Sequence, residues 1–130
     1  MPRAGKDFQT TFRVKRGWTA IARVENPDGQ NIVPGTITSI QCVVRRANKS
    51  PDPKTLDQSL TVASVVFTEL QTSDSRWAKD NVGYNFLYEV PGSAFDVAGA
   101  HYVVEFVFTP TTGEKYSVIY EGSAKSTYNA

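Results

Sequence analysis

Apolar and polar side chains alternate with a period of two along most of this chain. The alternation is strongest from Gly99 to Pro110, where Tyr102, Val104, Phe106 and Phe108 fall on one side. Val103 and Val107 leave the other side half apolar, so the pattern predicts a central strand partly covered on both faces. Gly99 opens it, and Pro110 stops it because proline cannot donate to a ladder. Upstream, Phe8 to Lys15 and Trp18 to Glu25 alternate in the same way, with Gly17 between them marking a kink or a change of sheet. Asn26-Pro27-Asp28-Gly29 and Pro34-Gly35 read as turns. Ile37 to Arg46 follows as a strand with Ile40, Cys42 and Val44 on one face, then a polar loop from Arg45 to Lys54.

Leu60 to Leu70 reads as a further strand whose alternation breaks near Val65, which predicts a bulge or frame change. Thr72 to Asn81 is the one stretch with helical potential, capped by Ser73 or Asp74, with Trp77 dipping into the core. Val82 to Val90 resumes the alternation through Tyr84, Phe86, Tyr88 and Val90. Phe95 drops over the edge of the core, and Thr111 to Glu114 forms a hairpin turn into a last strand marked by Tyr116, Val118 and Tyr120. About seven strands with turns between them predict an all-β fold: an Ig-like antiparallel β-sandwich over 8–121 with one short helical turn. Polar tails are expected at 1–7 and 122–130.

Composition narrows the function classes. The 130 residues carry a net charge of +1, which implies no general pull toward nucleic acid or an anionic membrane. A single cysteine, Cys42, forbids an internal disulfide and suits a reducing compartment. No apolar run reaches the roughly 20 residues of a membrane helix, and the start of the chain lacks the apolar segment of a signal peptide.

Candidate chemistry is sparse. His101 alternates opposite Tyr102 and points to the outer or second-sheet side, and Cys42 lies in phase with buried positions. One histidine and one cysteine do not make a zinc site, so no metal or cofactor is expected. Glu89 and Glu105 are the carboxylates that a ladder could bring together, as a glycosidase pair requires. Arg45, Arg46, Lys49 and Lys54 make a basic loop suited to an acidic neighbour. No aromatic residues are interleaved with them, which disfavours nucleic acid. Trp18 and Trp77 are the candidates for stacking on a sugar face.

The order of these signals resembles the β-sandwich module at the N-terminus of phage baseplate upper proteins and related tailed-phage virion proteins. The resemblance spans roughly residues 8–120. It rests on Arg16-Gly17, Asp28-Gly29, Pro34-Gly35 leading into Ile37–Val44, Val82-Gly83-Tyr84-Asn85-Phe86, Ala98-Gly99 leading to Tyr102 and Glu105-Phe106, and the Thr112-Gly113 hairpin. Family members often place an acid after the Arg-Gly step, where Trp18 stands here, and their loop is shorter than Ala47 to Ser59. Baseplate members continue into further domains. The resemblance therefore implies a small stand-alone component of the neck, tail, baseplate or capsid surface, assembled in the host cytoplasm. It implies a non-enzymatic homo-oligomer that meets other virion proteins, with no nucleic acid or membrane partner. The expected contacts are Arg3, Lys6, Arg45, Arg46, Lys49 and Tyr128. The alternative is a carbohydrate-binding module for a host surface glycan, built on Trp18 and Trp77.

Overall fold

The computed structural model describes residues 7–47 and 54–126. Arg3, Lys6, Lys49 and Tyr128 lie outside the described residues. The strands are β1 (Asp7–Gln9), β2 (Phe12–Arg13), β3 (Trp18–Ala22), β4 (Ile37–Arg46), β5 (Lys54–Leu60), β6 (Val66–Gln71), β7 (Tyr84–Val90), β8 (His101–Pro110) and β9 (Tyr116–Lys125), with one α-helical turn, α1 (Val62–Val65). The larger sheet has the order β1-β9-β8-β4-β5, with β2 also on β9, and the smaller sheet is β3-β7-β6. This is a two-sheet sandwich as the alternation predicts. The order is immunoglobulin-like: β9-β8-β4 forms the middle of the larger sheet, with β5 added at one edge and β1 and β2 at the other.

Strand β8 is central, paired antiparallel with β4 on one side and β9 on the other. Tyr102, Val104, Phe106 and Phe108 are all fully buried. They meet the smaller sheet through Phe86, whose ring packs edge-on against Phe106 at 5.0 Å and Phe108 at 5.4 Å between centroids. Edge-to-face pairing places the positive rim of one ring on the negative face of the next. Phe95 does drop into the core, stacking on Phe12 at 4.5 Å.

Four boundaries differ from the pattern. The polar loop after Arg46 ends in a strand, β5, which pairs with β4 from Ile40↔Leu60 to Arg45↔Lys54. The apolar pattern does not show it because it is an outer strand, exposed at Lys54, Asp57, Gln58 and Ser59, with few apolar positions to alternate. Leu60 to Leu70 is not one strand: the frame break at Val65 is α1, which carries the chain from the larger sheet to the smaller. Thr72 to Asn81 contains turns rather than helix: the Asp74 carboxylate accepts the Arg76 backbone N–H at 2.9 Å and the Asp74 carbonyl accepts the Trp77 N–H at 3.0 Å, a single turn that is not continued. Residues 122–125 are not tail; they continue β9, with Gly122 and Ala124 buried.

The first strand is also unlike its pattern. It splits into β1 and β2, both parallel to β9. Gly122 makes this possible: a Cβ there would lie 1.8 Å from the Thr10 carbonyl oxygen. The change of sheet expected near Gly17 occurs there, between β2 and β3. The left-handed residue of the crossing is Lys15, at φ 59°, whose N–H donates to the Phe95 carbonyl at 2.7 Å. At the start of β8, the Tyr102 hydroxyl accepts the Val97 N–H at 3.0 Å and donates to Asp96 at 3.2 Å. That is the tyrosine-corner arrangement of immunoglobulin-type sandwiches, tying the preceding connection to the core.

Candidate functional site

The residues singled out for chemistry are spread across the molecule. Cys42 is fully buried, and burial, with a smaller contribution from Asp57, pushes its thiol up to about 12. It is a packing residue. His101 stands on the outer side of β8, 3.8 Å from Glu121. Glu89 and Glu105 do not meet. Phe86 and Val90 of β7 face inward, as do Phe106 and Phe108 of β8, so the two carboxylates project from the outer faces of opposite sheets. Glu105 instead accepts Ser117 Oγ at 2.7 Å and pairs with Arg45 at 3.5 Å. Arg46 is half-buried, and its Nε has no partner among the described residues. No group of three metal-ligating side chains occurs among the described residues.

The two indoles do not make one platform. Trp18 sits opposite Val90 at the start of β3, and its ring packs edge-on into Phe12 and Tyr120 of the larger sheet. Trp77 leans on Tyr84, at the other end of β7, and its Nε1 donates to the Asp80 carbonyl at 2.9 Å. Each has found a structural partner, so neither presents an open ring face in company with the other.

A concavity lies at one end of the sandwich, between the β3–β4 connection and the β8–β9 hairpin. It is a cleft of about 640 Å³ lined by Asn26, Asp28, Thr36, Thr112, Glu114 and Tyr116, among others. Its size falls in the usual range for ligand pockets, about 300–1,000 Å³. A neighbouring hollow of about 200 Å³ shares Asn26, Pro27 and Tyr116 and adds Glu25. Tyr116 therefore stands in the walls of both. Its ring stacks on Phe108 at 5.4 Å, only 3% of the residue is exposed, and its hydroxyl has no hydrogen-bond partner among the described residues. Burial pushes that phenol up to about 12.

One wall of the cleft is held from below. Asn26 Oδ1 accepts the N–H groups of Asp28 and Gln30, both at 3.0 Å, and Gly29 supplies the positive φ that closes the turn. Asn85, the one buried polar side chain among the described residues, accepts the Val24 N–H at 2.7 Å. It donates to the carbonyls of Val24 at 2.9 Å and Ile32 at 3.1 Å. The outward parity of Asn85 on β7 would ordinarily face water, and here the β3–β4 connection folds over it.

The opposite end of β9 is basic. Arg13 and Lys125 face each other on one rung of the parallel pair, and Lys15 and Arg16 follow in the turn. All four are exposed, and none has an acidic partner among the described residues. The sequence points to Arg45, Arg46 and Lys49 instead of this group. Its members are separated in sequence, and only the parallel register of β2 on β9 brings them together.

These features define an immunoglobulin-like β-sandwich with a cleft at one end and a basic group at the other. No family model, curated protein or solved structure matches the chain.

Proposed function

We propose that this protein is a non-enzymatic structural component of a tailed-phage virion, of the neck, tail, baseplate or capsid surface, acting through contacts with other virion proteins and with copies of itself. The observation that carries the reading is the outer edge of the larger sheet. Strand β5 ends the order β1-β9-β8-β4-β5 and is paired on one side only. An unpaired strand edge is a template for another chain, and charged side chains keep it from pairing indiscriminately. Lys54 and Asp57 supply those charges, bonded to each other at 3.1 Å, and Arg45 lies one strand away. The resemblance of the turn and strand signals to virion sandwich modules supports the particle as the setting. The glycan alternative named Trp18 and Trp77, and their separate packing gives it no shared stacking surface.

The test is composition. Particles are purified by density gradient from the lysate in which the chain is made, then analysed by mass spectrometry and immunogold labelling. A fixed ratio of this chain to the major capsid protein is the expected result. Its absence from purified particles, with the protein present elsewhere in the lysate, overturns the proposal.

A further inference from the structure

The two ends of β9 carry opposite charge. The strand runs ten residues from Tyr116 to Lys125, a span of about 30 Å at the usual rise per residue. At the Tyr116 end, the cleft holds the carboxylates of Asp28 and Glu114, with Lys115 as the cation among them, and the adjoining hollow is lined by Glu25 and by Arg23, which is paired with Asp80 at 2.9 Å. At the Lys125 end stand Arg13, Lys15, Arg16 and Lys125, all exposed. Three acids lie near that end: Asp96 accepts the Tyr102 hydroxyl, Glu121 accepts from Gln9 at 2.8 Å, and the Glu89 carboxylate lies over Gly17, beside the basic turn, which leaves the four cations in excess. Like charges directly opposite on neighbouring strands are destabilising, so the Arg13–Lys125 rung carries a cost that an outside anion removes. The chain as a whole is nearly neutral at +1, so this is segregation of charge rather than an excess of it.

A single copy cannot bring its two ends together. A second copy stacked end to end can, because the surface missing from one end is present on the other. We propose that copies of this chain associate head to tail, the basic end of one copy, formed by Arg13, Lys15, Arg16 and Lys125, seating on the acidic cleft of the next. The cleft, at about 640 Å³, has room for the side chains of the Lys15–Arg16 turn. An interface between two different surfaces of one chain propagates, closing into a ring or extending as a filament according to its rotation. This deepens the assembly reading and rests on it.

Sedimentation velocity of the full chain tests it with two charge-reversed variants. The first, Arg13→Glu with Arg16→Glu and Lys125→Glu, leaves Lys15 as the one cation of its group and makes both ends acidic; the second, Asp28→Lys with Glu114→Lys, makes both basic. All five positions are exposed, and circular dichroism confirms that each variant is folded. The native chain is expected to self-associate at about 0.03 M salt and to weaken at least about tenfold at about 0.3 M, where screening shortens to a few ångströms. Each variant alone is expected to remain monomeric, and the equimolar mixture to associate again, since every contact in it joins an acidic end to a basic one. Self-association of either variant as strong as the native chain's, or a mixture that stays monomeric, overturns the inference. A native chain monomeric at low salt yet present in purified particles would overturn the head-to-tail contact and leave the assembly reading standing.

Discussion

Replacing Asn85 by leucine isolates the contribution of one buried amide, because the two side chains have similar volume and no cavity is opened. In the native protein Asn85 is 1% exposed and makes three hydrogen bonds to the backbone of the β3–β4 connection. The Val24 carbonyl keeps a second donor, the Ile32 N–H at 3.1 Å. The Val24 N–H and the Ile32 carbonyl lose the bond that Asn85 gave them. Two orphaned groups at about 1–3 kcal/mol each, less what the added apolar burial returns, give an expected loss of about 3–4 kcal/mol. For a domain of this size that lowers Tm by roughly 10 °C. Urea melts should show the midpoint falling with an unchanged slope, since the surface exposed on unfolding is the same. Hydrogen exchange should accelerate first at Val24. Asn85→Asp keeps the acceptor for Val24 but turns an anionic oxygen toward two carbonyls. Its carboxyl should titrate high in the folded state, so the variant is more stable at low pH and loses that stability as pH rises. A loss below about 1 kcal/mol for Asn85→Leu would refute the reasoning, showing that water replaces the amide at no cost.

Three further outcomes are expected. Tyr102→Phe removes the hydroxyl that holds Val97 and Asp96, and should cost about 1–2 kcal/mol in a denaturant melt while leaving the fold intact; no measurable change would mean the corner is held by the buried ring alone. Cys42 should resist thiol reagents in the folded protein and react at once in denaturant; because its folded value is raised from 9.0 to about 12, the stability it contributes is full below pH 9 and lost as pH rises toward 12, and native-state labelling at pH 8 would contradict its burial. Asp74 is held down to about 2 by the Arg76 guanidinium and N–H, so its contribution is present above pH 4 and lost as pH falls toward 2; Asp74→Asn should flatten that part of the acid titration of stability, and an unchanged acid limb would exclude the pair as its source.

The sandwich was legible wherever a strand had one buried and one exposed side. β4 falls on the expected residues, Ile37 to Arg46, because Ile40, Cys42 and Val44 recur at every second position between Ser39, Gln41 and Arg45, with Val43 as the one apolar exception. β8 was legible for the same reason. Strand β5 was not, because an outer strand with exposed side chains has no hydrophobic period to display. The parallel course of β1 and β2 was hidden too, since alternation says nothing about direction. The cleft was half visible: both turns that frame it were read from Asn26-Pro27-Asp28-Gly29 and Thr111–Glu114, and their adjacency comes only from the register of β4, β8 and β9. Asn85 carried a faint signal, an amide set among Tyr84 and Phe86 where another apolar or charged residue would be ordinary.

The parallel course of the first strands bears on how the domain takes tension. Asp7 lies beside Ile119 and Arg13 beside Lys125, so the chain enters partway along β9 and the last strand leaves at its far end. A pull applied to residue 7 and residue 125 slides β1 and β2 lengthwise along β9. The bonds between them, including Thr10 N–H to Glu121 and Val14 N–H to Lys125, both 2.9 Å, are then strained together in shear. A hairpin opened from its free ends yields one bond at a time, like a zip. Here rupture must break the set at once and drag the buried Phe12 out from between Phe95 and Trp18. Pulling along the line of its two ends therefore meets the stiffest direction of the molecule.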